Sequence, residues 1–326
     1  MSGLHLWLLL IALVVDWYLG DPDWLWGRVP HPVVWFGRLI GWLDAQLNLD
    51  TDSDGLRYRK GAIAWAVMIA AALAVSLLMG WVFARIGVIG LVLEVFVVFV
   101  LIAQKSLKDH VMAVATGLQA GGLAGGRKAV SMIVGRDPER LDRAGVSRAA
   151  IESLAENFSD GIVAPVFWYA VFGLPGIVVY KMINTADSMI AHKTARHLWF
   201  GRVAAIADDL ANWLPARLSA LLIAAGTLAL AAPGRAETAI MTALRDAGIH
   251  RSPNAGWPEA AMAGALGLAL GGPRAYPGEI VQESHINASG RKEADVGDIL
   301  GAIRIYSGAC LALWLLVLVL ALITLV

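Results

Sequence analysis

Apolar residues along this chain gather into long blocks separated by polar stretches, rather than recurring every second or every third and fourth position. The blocks run from Leu4 to Val15, Gly61 to Ala84, Ile86 to Ala103, Gly161 to Tyr180, Trp213 to Ala232 and Tyr306 to Val326. A helix needs about 20 mostly apolar residues to cross the hydrocarbon core of a bilayer. Four blocks meet that measure. The first is short and runs at once into Asp16, and the fourth is interrupted by GLPG at 173–176. A tight turn at Arg85 is expected between the second and third. Residues 33–47, VVWFGRLIGWLDAQL, carry apolar side chains at helical spacing, the pattern of a helix lying along a membrane surface. No strand alternation and no internal repeat persists. The pattern predicts an all-α fold: a polytopic integral membrane helical bundle of about five or six spans with long polar helical loops, in one domain over residues 1–326.

The connecting segments differ among themselves. Residues 105–160 read as a polar helical insert with turns at GGLAGG and GRDP, and residues 233–302 as a Gly- and Pro-rich loop region with short helices. No Lys or Arg precedes the first block and no small-residue cleavage site follows it, so a retained helix is expected rather than a signal peptide.

Composition sharpens the class. Of 326 residues 58% are hydrophobic and 16% charged, against about 45–50% and 25% in soluble domains. Lys and Arg balance Asp and Glu at 26 each, so no basic footprint for nucleic acid exists and none is expected as a partner. The single cysteine, Cys310, excludes an intrachain disulfide and a cysteine-cluster metal site.

With six crossings, loops 18–60, 105–160 and 233–305 share one side and hold 20 of the 26 Lys and Arg, which makes that side cytoplasmic. The same count sends the polar run after Tyr180 to the opposite face. Two arrangements reconcile it with the acids before Gly161. Either the GLPG break folds the 161–180 segment back as a re-entrant pair, or the site lies at membrane depth and is reached from both ends. The break is the preferred reading.

Three oxygen-rich clusters lie at the ends of apolar blocks. In IESLAENFSDG, Glu152, Glu156 and Asp160 fall at i, i+4 and i+8 with Asn157 beside them. Like charges at that spacing repel, and a hard cation such as Mg2+ relieves the repulsion while bridging carboxylates to phosphates. A solvated acidic face capping the next block explains the spacing equally well. In KMINTADSMIAH, Lys181, Asn184, Thr185, Ser188 and His192 share one helical face with Asp187 at its edge. IADDLANW then sets Asp208, Asp209 and Asn212 at the start of another block. Capping accounts for one or two such residues, and the set together suggests an active site.

Two loops add donors. Asp21, His31 and Arg38 lie in GDPDWLWGRVPHPVVWFGR, where His31 between two prolines cannot sit inside a helix. RDAGIHRSPNAGWPEAAMAG carries Arg245, His250, Arg251, Ser252, Asn254 and Glu259, a set able to hold a phosphate. GGLAGGRKAV is not a nucleotide-binding loop, since Arg127 and Lys128 occupy the Lys and Ser/Thr places and no strand precedes it.

Taken in order, GDP…HPVVWFGRLI, VGRDPERL, IESLAENFSDGIVAPVFWY, KMINTADSMI, ADDLANWLPAR and RDAGIHRSPNAGWPEAAMAGALG resemble the adenosylcobinamide-phosphate synthases of cobalamin biosynthesis, the CobD/CbiB family. The resemblance extends from about residue 14 to beyond 300. It implies a multi-pass protein of the bacterial inner membrane. It also implies an ATP-dependent ligase that joins aminopropanol O-phosphate, or aminopropanol, to a propionate of adenosylcobyric acid. Expected cofactors are ATP and Mg2+. Expected partners are the corrinoid and amine substrates, membrane lipid, a membrane cobalamin synthase and a second copy of the chain.

Such a reaction must activate a carboxylate, for instance as an acyl phosphate, and take a proton from an ammonium. On that basis Glu152, Glu156, Asn157, Asp160, Lys181, Asn184, Asp187 and Ser188 are the catalytic candidates, with Glu156, Asp160 and Asp187 as Mg2+ ligands. Asp21, His31, Arg38, Asp208, Asp209, Asn212, Arg251, Ser252, Asn254 and Glu259 are the substrate-binding candidates. The alternatives are a transporter, which would show paired repeats or broken helices in both halves, and a Mg2+-dependent membrane phosphotransferase. The stretch nearest to the latter's DGxxAR motif, DSMIAHKTAR, has the wrong spacing.

Overall fold

A computed structural model describes residues 3–21, 26–135, 137–230, 233–272, 274–276, 279–281 and 283–325. Part of the expected loop around Asp21 (22–25) and Arg136 of the GRDP turn lie outside the described residues. The helices in chain order are α1 (Leu4–Leu19), α2 (Pro32–Leu47), α3 (Asp54–Arg85), α4 (Val88–Val100), α5 (Gln104–Ala120) and α6 (Gly122–Val130). They continue with α7 (Arg143–Phe158), a π turn at Ser159–Val163, α8 (Ala164–Ile190), α9 (Arg202–Ala211), α10 (Trp213–Leu230), α11 (Pro233–Asp246), α12 (Gly256–Leu266) and α13 (Val296–Ile323). The fold is all-α and of the membrane-bundle kind.

Short strands also occur, which the sequence pattern did not predict. β1 (Leu270–Gly271) pairs antiparallel with β4 (His285–Ile286), and β2 (Arg274–Tyr276) pairs with β3 (Glu279–Val281) inside it, a nested hairpin. Strands of two or three residues are too short to show alternation.

By length and composition four helical stretches can cross a membrane: Asp54–Arg85, Val88–Ala120, Arg143–Ile190 and Val296–Ile323. Leu4–Leu19 and Trp213–Ala229 are shorter apolar helices. The third long stretch does not run straight. Gly173 takes φ 64° and ψ −148°, outside helical space and open mainly to glycine. A β-carbon added at Gly176 would overlap the carbonyl oxygen of Trp168. Eight residues of straight helix span about 12 Å, so the chain must reverse at Gly173. Ala164 and Tyr180 accordingly lie in one buried cluster with Ala211, and Trp168 and Ile183 pack against it. The GLPG break is therefore a tight turn between two helical arms that pack side by side.

The chain gathers into two compact units. The first comprises residues 1–103, 164–212 and 320–326, and the second 104–163 and 213–319. In the first unit α2 buries Ile40 and Leu43 while Val34, Trp35 and Trp42 stay exposed, the distribution of a helix with its apolar side in a membrane interface. The hairpin tip is pinned there by polar contacts: the Tyr169 hydroxyl donates to Glu94 at 2.7 Å, and His5 Nε2 meets the Ala170 carbonyl at 3.0 Å. Gly3 abuts Thr324, so the start of α1 and the end of α13 lie together. In the second unit α10, α11 and α12 pack on one another, and α7 lies against α12 and α5. Tyr306 there donates to the Gln104 carbonyl at 2.7 Å, and its ring stacks edge-on to Phe158.

Candidate active site

Two polar assemblies form, one within each unit. The first is built on the hairpin. Pro30 and Pro32 hold His31 in extended backbone (φ −55°, ψ 142°), so it caps α2 instead of entering it. Its Nδ1 accepts the Val33 N–H at 3.2 Å, which places the ring proton on Nε2, 3.8 Å from Asp21. Trp26 packs edge-on against the ring at 4.6 Å. Burial lowers the His31 pKa and the nearby Lys181 charge lowers it further, while Asp21 and a backbone hydrogen bond at Val100 oppose them. His31 is thus neutral at pH 7, with Nε2–H as a donor. Lys181, half-buried on the second arm of α8, is the weakest of these influences.

Further along the second arm of α8, Asn184 and Asp187 are half-buried and Ser188 is exposed. The Ser188 hydroxyl donates back to the Asn184 carbonyl at 3.0 Å and Thr185 to Lys181 at 2.6 Å. Arg38 is exposed, one residue past the point where Gly37 meets Met189 of α8.

Asp208 and Asn212 take a different part from Asp209. Tyr180 donates to Asn212 Oδ1 at 2.8 Å, Asn212 Nδ2 donates to Asp208 at 2.9 Å, and Trp168 Nε1 donates to the Ala211 carbonyl at 3.0 Å. Both ends of the Asn212 amide are engaged in tying α9 to the hairpin. Asp209 is half-buried; burial raises its pKa and Lys193 opposes the rise.

The second assembly lies around α7. Its acid stripe is not uniform. Glu152 is buried at 2% exposure and accepts the Gly271 N–H at 2.7 Å, so it anchors β1. Glu156 and Asn157 are exposed, and Asn157 Nδ2 donates to the Ser153 carbonyl at 2.9 Å. Asp160 is half-buried inside the π turn, whose wider winding rotates it partly off the straight line from Glu152. Ser159 Oγ in the same turn is buried with no hydrogen-bond partner among the described residues. Such an orphan beside a carboxylate fits a site that receives a polar ligand.

On α12 and the loop before it, His250 Nδ1 accepts the Ser252 N–H at 3.0 Å, and its Nε2 faces the buried Glu259 carboxylate at 3.6 Å. Ser252 Oγ accepts the N–H groups of Asn254 and Ala255, each at 3.2 Å. Arg251 is exposed and lies 3.8 Å from Glu283.

No group of three or more His, Cys, Asp and Glu able to cage a metal occurs among the described residues. Mg2+ usually relies on one or two carboxylates and takes its remaining ligands from water and phosphate. Glu156, Asp160 and the Ser159 hydroxyl suit that mode. Asp187 belongs to the other unit.

Two networks have no signature in the sequence. Asp44 accepts from Asn48 at 2.8 Å and from Arg196 at 2.9 Å, with His197 3.4 Å away, clamping the loop after α8 to the end of α2. Burial pushes the Asp44 pKa up, but Asn48, Arg196 and His197 outweigh it and leave it lowered. Asp246 holds Arg245 through two bonds of 2.7 Å and accepts the Asn287 N–H at 2.7 Å, with Asn287 at φ 52°. The partners lie up to 152 residues apart, beyond the reach of any local pattern.

An all-helical membrane protein with oxygen-rich clusters at a helix break has the makings of a membrane enzyme. The family model of the CobD/CbiB protein matches residues 9–306. A cobalamin biosynthesis protein CobD from a Sinorhizobium species is 56% identical over 310 residues, 95% of this chain and 96% of the relative. Proteins of that name from Brucella suis and Rhodobacter capsulatus are 51% and 50% identical over 296 and 285 residues, covering 91% and 86% of this chain and 90% and 87% of the relatives. No solved structure matches. The chain belongs to the CobD/CbiB family, and its role lies in cobalamin biosynthesis.

Proposed function

We propose that this protein is the inner-membrane ligase that forms the amide between aminopropanol O-phosphate and a propionate of adenosylcobyric acid, giving adenosylcobinamide phosphate. The observation that carries this reading is the family match over residues 9–306, which spans both the polar run from Lys181 to Ser188 and the acids from Glu152 to Asp160. With Nδ1 accepting from Val33 and the ring N–H engaged at Val100, His31 holds the start of α2 in place. Lys181, half-buried on the second arm, would meet the phosphate of the amine substrate or the propionate with its ammonium. Asn184 would add an amide donor, and the half-buried Asp187 would orient the substrate ammonium and accept its proton.

Bound ATP with Mg2+ would supply the phosphoryl group that turns the propionate into an acyl donor. Glu156, Asp160 and Ser159 Oγ are the oxygens proposed to hold that cation, with Asn157 donating to a phosphate oxygen. Glu152 and Asn212 act instead as positioning residues, because each is committed to the protein's own polar groups. The transporter reading loses ground to the single helix break, since inverted-repeat transporters break helices in both halves.

The test uses purified full-length protein in nanodiscs. ATP consumption and a product with the mass of the amide are expected only when corrinoid and amine are both present. ATP turnover indifferent to either substrate, or substrate flux without amide, would overturn the assignment.

A further inference from the structure

In the second unit, Arg217 of α10 stands between two indoles. Its guanidinium carbon lies 4.1 Å from the Trp213 ring centroid and 4.6 Å from that of Trp257. Its one hydrogen bond among the described residues runs from Nη1 to the Trp213 carbonyl at 2.6 Å, and no carboxylate there pairs with it. Cation–π contact with the two indoles leaves the other N–H donors of the guanidinium without a hydrogen bond among the described residues, and such donors match phosphate.

Beside Arg217 a groove of about 240 Å³ opens between α10 and α11, and among the described residues Arg217 is the only charged one lining it. The rest of the wall is Ala220, Leu221, Ile240, Ala243, Leu244 and Trp257. Leu221 and Leu244 at its lip are 56% and 64% exposed, and Met241 beside them is 58% exposed. Free phosphate would gain nothing from such a wall. A zwitterionic headgroup would bring its own cation against Arg217.

We propose that this groove is a binding site for an anionic glycerophospholipid. Its phosphate sits on Arg217 and the upper part of one acyl chain lies along Leu221 and Leu244. The site uses none of the residues assigned to the ligase reaction, so it stands or falls independently of that assignment. Anionic headgroups are drawn to such a fixed cation beside an apolar wall.

Native mass spectrometry of the detergent-purified chain, with phosphatidylglycerol, phosphatidylcholine or glycerol 3-phosphate added, tests the proposal. The wild type is expected to keep one phosphatidylglycerol under conditions that strip phosphatidylcholine. Arg217→Gln should weaken that retention about tenfold, the scale of one charge-assisted contact. Leu244→Glu, a change at an exposed position, should weaken it similarly while the melting temperature stays unchanged. Equal retention of both lipids, or full retention by Leu244→Glu, would overturn the proposal. So would displacement of the lipid by glycerol 3-phosphate, which would mark a simple phosphate site, or a lipid-free dimer that covers the groove.

Discussion

The backbone of Gly176 rests against the carbonyl oxygen of Trp168, with no room between them for a side chain. That contact closes the hairpin and brings Tyr180, next to Lys181, back against Ala164. Gly176→Ala should therefore force the arms apart. A cost of about 3 kcal/mol or more is expected, at the upper end for overpacked sites. A thermal melt in detergent reads it, and a variant as stable as the wild type would mean the arms tolerate separation.

The hairpin bears on membrane sidedness. Ala164 and Tyr180 pack together, so the two arms are expected to begin and end on one face. Single cysteines replacing Asp187 and Asp209, in a background with the buried Cys310 changed to Ser, should react with an impermeant maleimide from the cytoplasm alone, as should one replacing Glu156. Labelling of position 187 from the periplasm would show a complete crossing instead.

Asp160→Asn should abolish amide formation at ordinary Mg2+ and raise the Mg2+ concentration needed for residual activity, while membrane insertion is unchanged. Magnesium titrations of the variant and wild type decide it. Full activity at ordinary Mg2+ would leave Asp160 a capping residue.

Asp187→Asn is expected to lower kcat much more than it lowers corrinoid affinity, the signature of an interaction made mainly in the transition state. Single-turnover rates set against corrinoid binding separate the two effects. Normal turnover with collapsed yield would mark the residue as structural.

Asp246 carries a pH dependence. Hydrogen bonds from Arg245 hold its carboxyl below the ordinary value, burial works against them, and the Asn287 N–H lowers it further. A depressed folded-state pKa adds stability that is fully present above the unfolded value of about 3.9 and is lost as pH falls through the folded value. Melting curves of wild type and Asp246→Asn should differ by the same amount at pH 6 and pH 5 and converge only as the pH falls below about 4 towards the folded value. A gap still unchanged there would refute the ion-pair account.

The sequence by itself determined the class of fold, because unbroken apolar blocks are written residue by residue and only helices satisfy their backbone in lipid. It also determined the GLPG break, since Gly173 and Pro175 act locally. It gathered the oxygen-rich clusters as well, but could not tell their members apart. Glu152 and Glu156 occupy equivalent places on a helical wheel, yet one is buried on the Gly271 N–H and the other faces out. Only the tertiary structure decided that, because burial and hydrogen-bond partners depend on residues more than a hundred positions away. The same holds for the clamp of Asp44 on Arg196 and for the second indole on Arg217. Each is a long-range contact whose energy appears only once the chain has closed on itself.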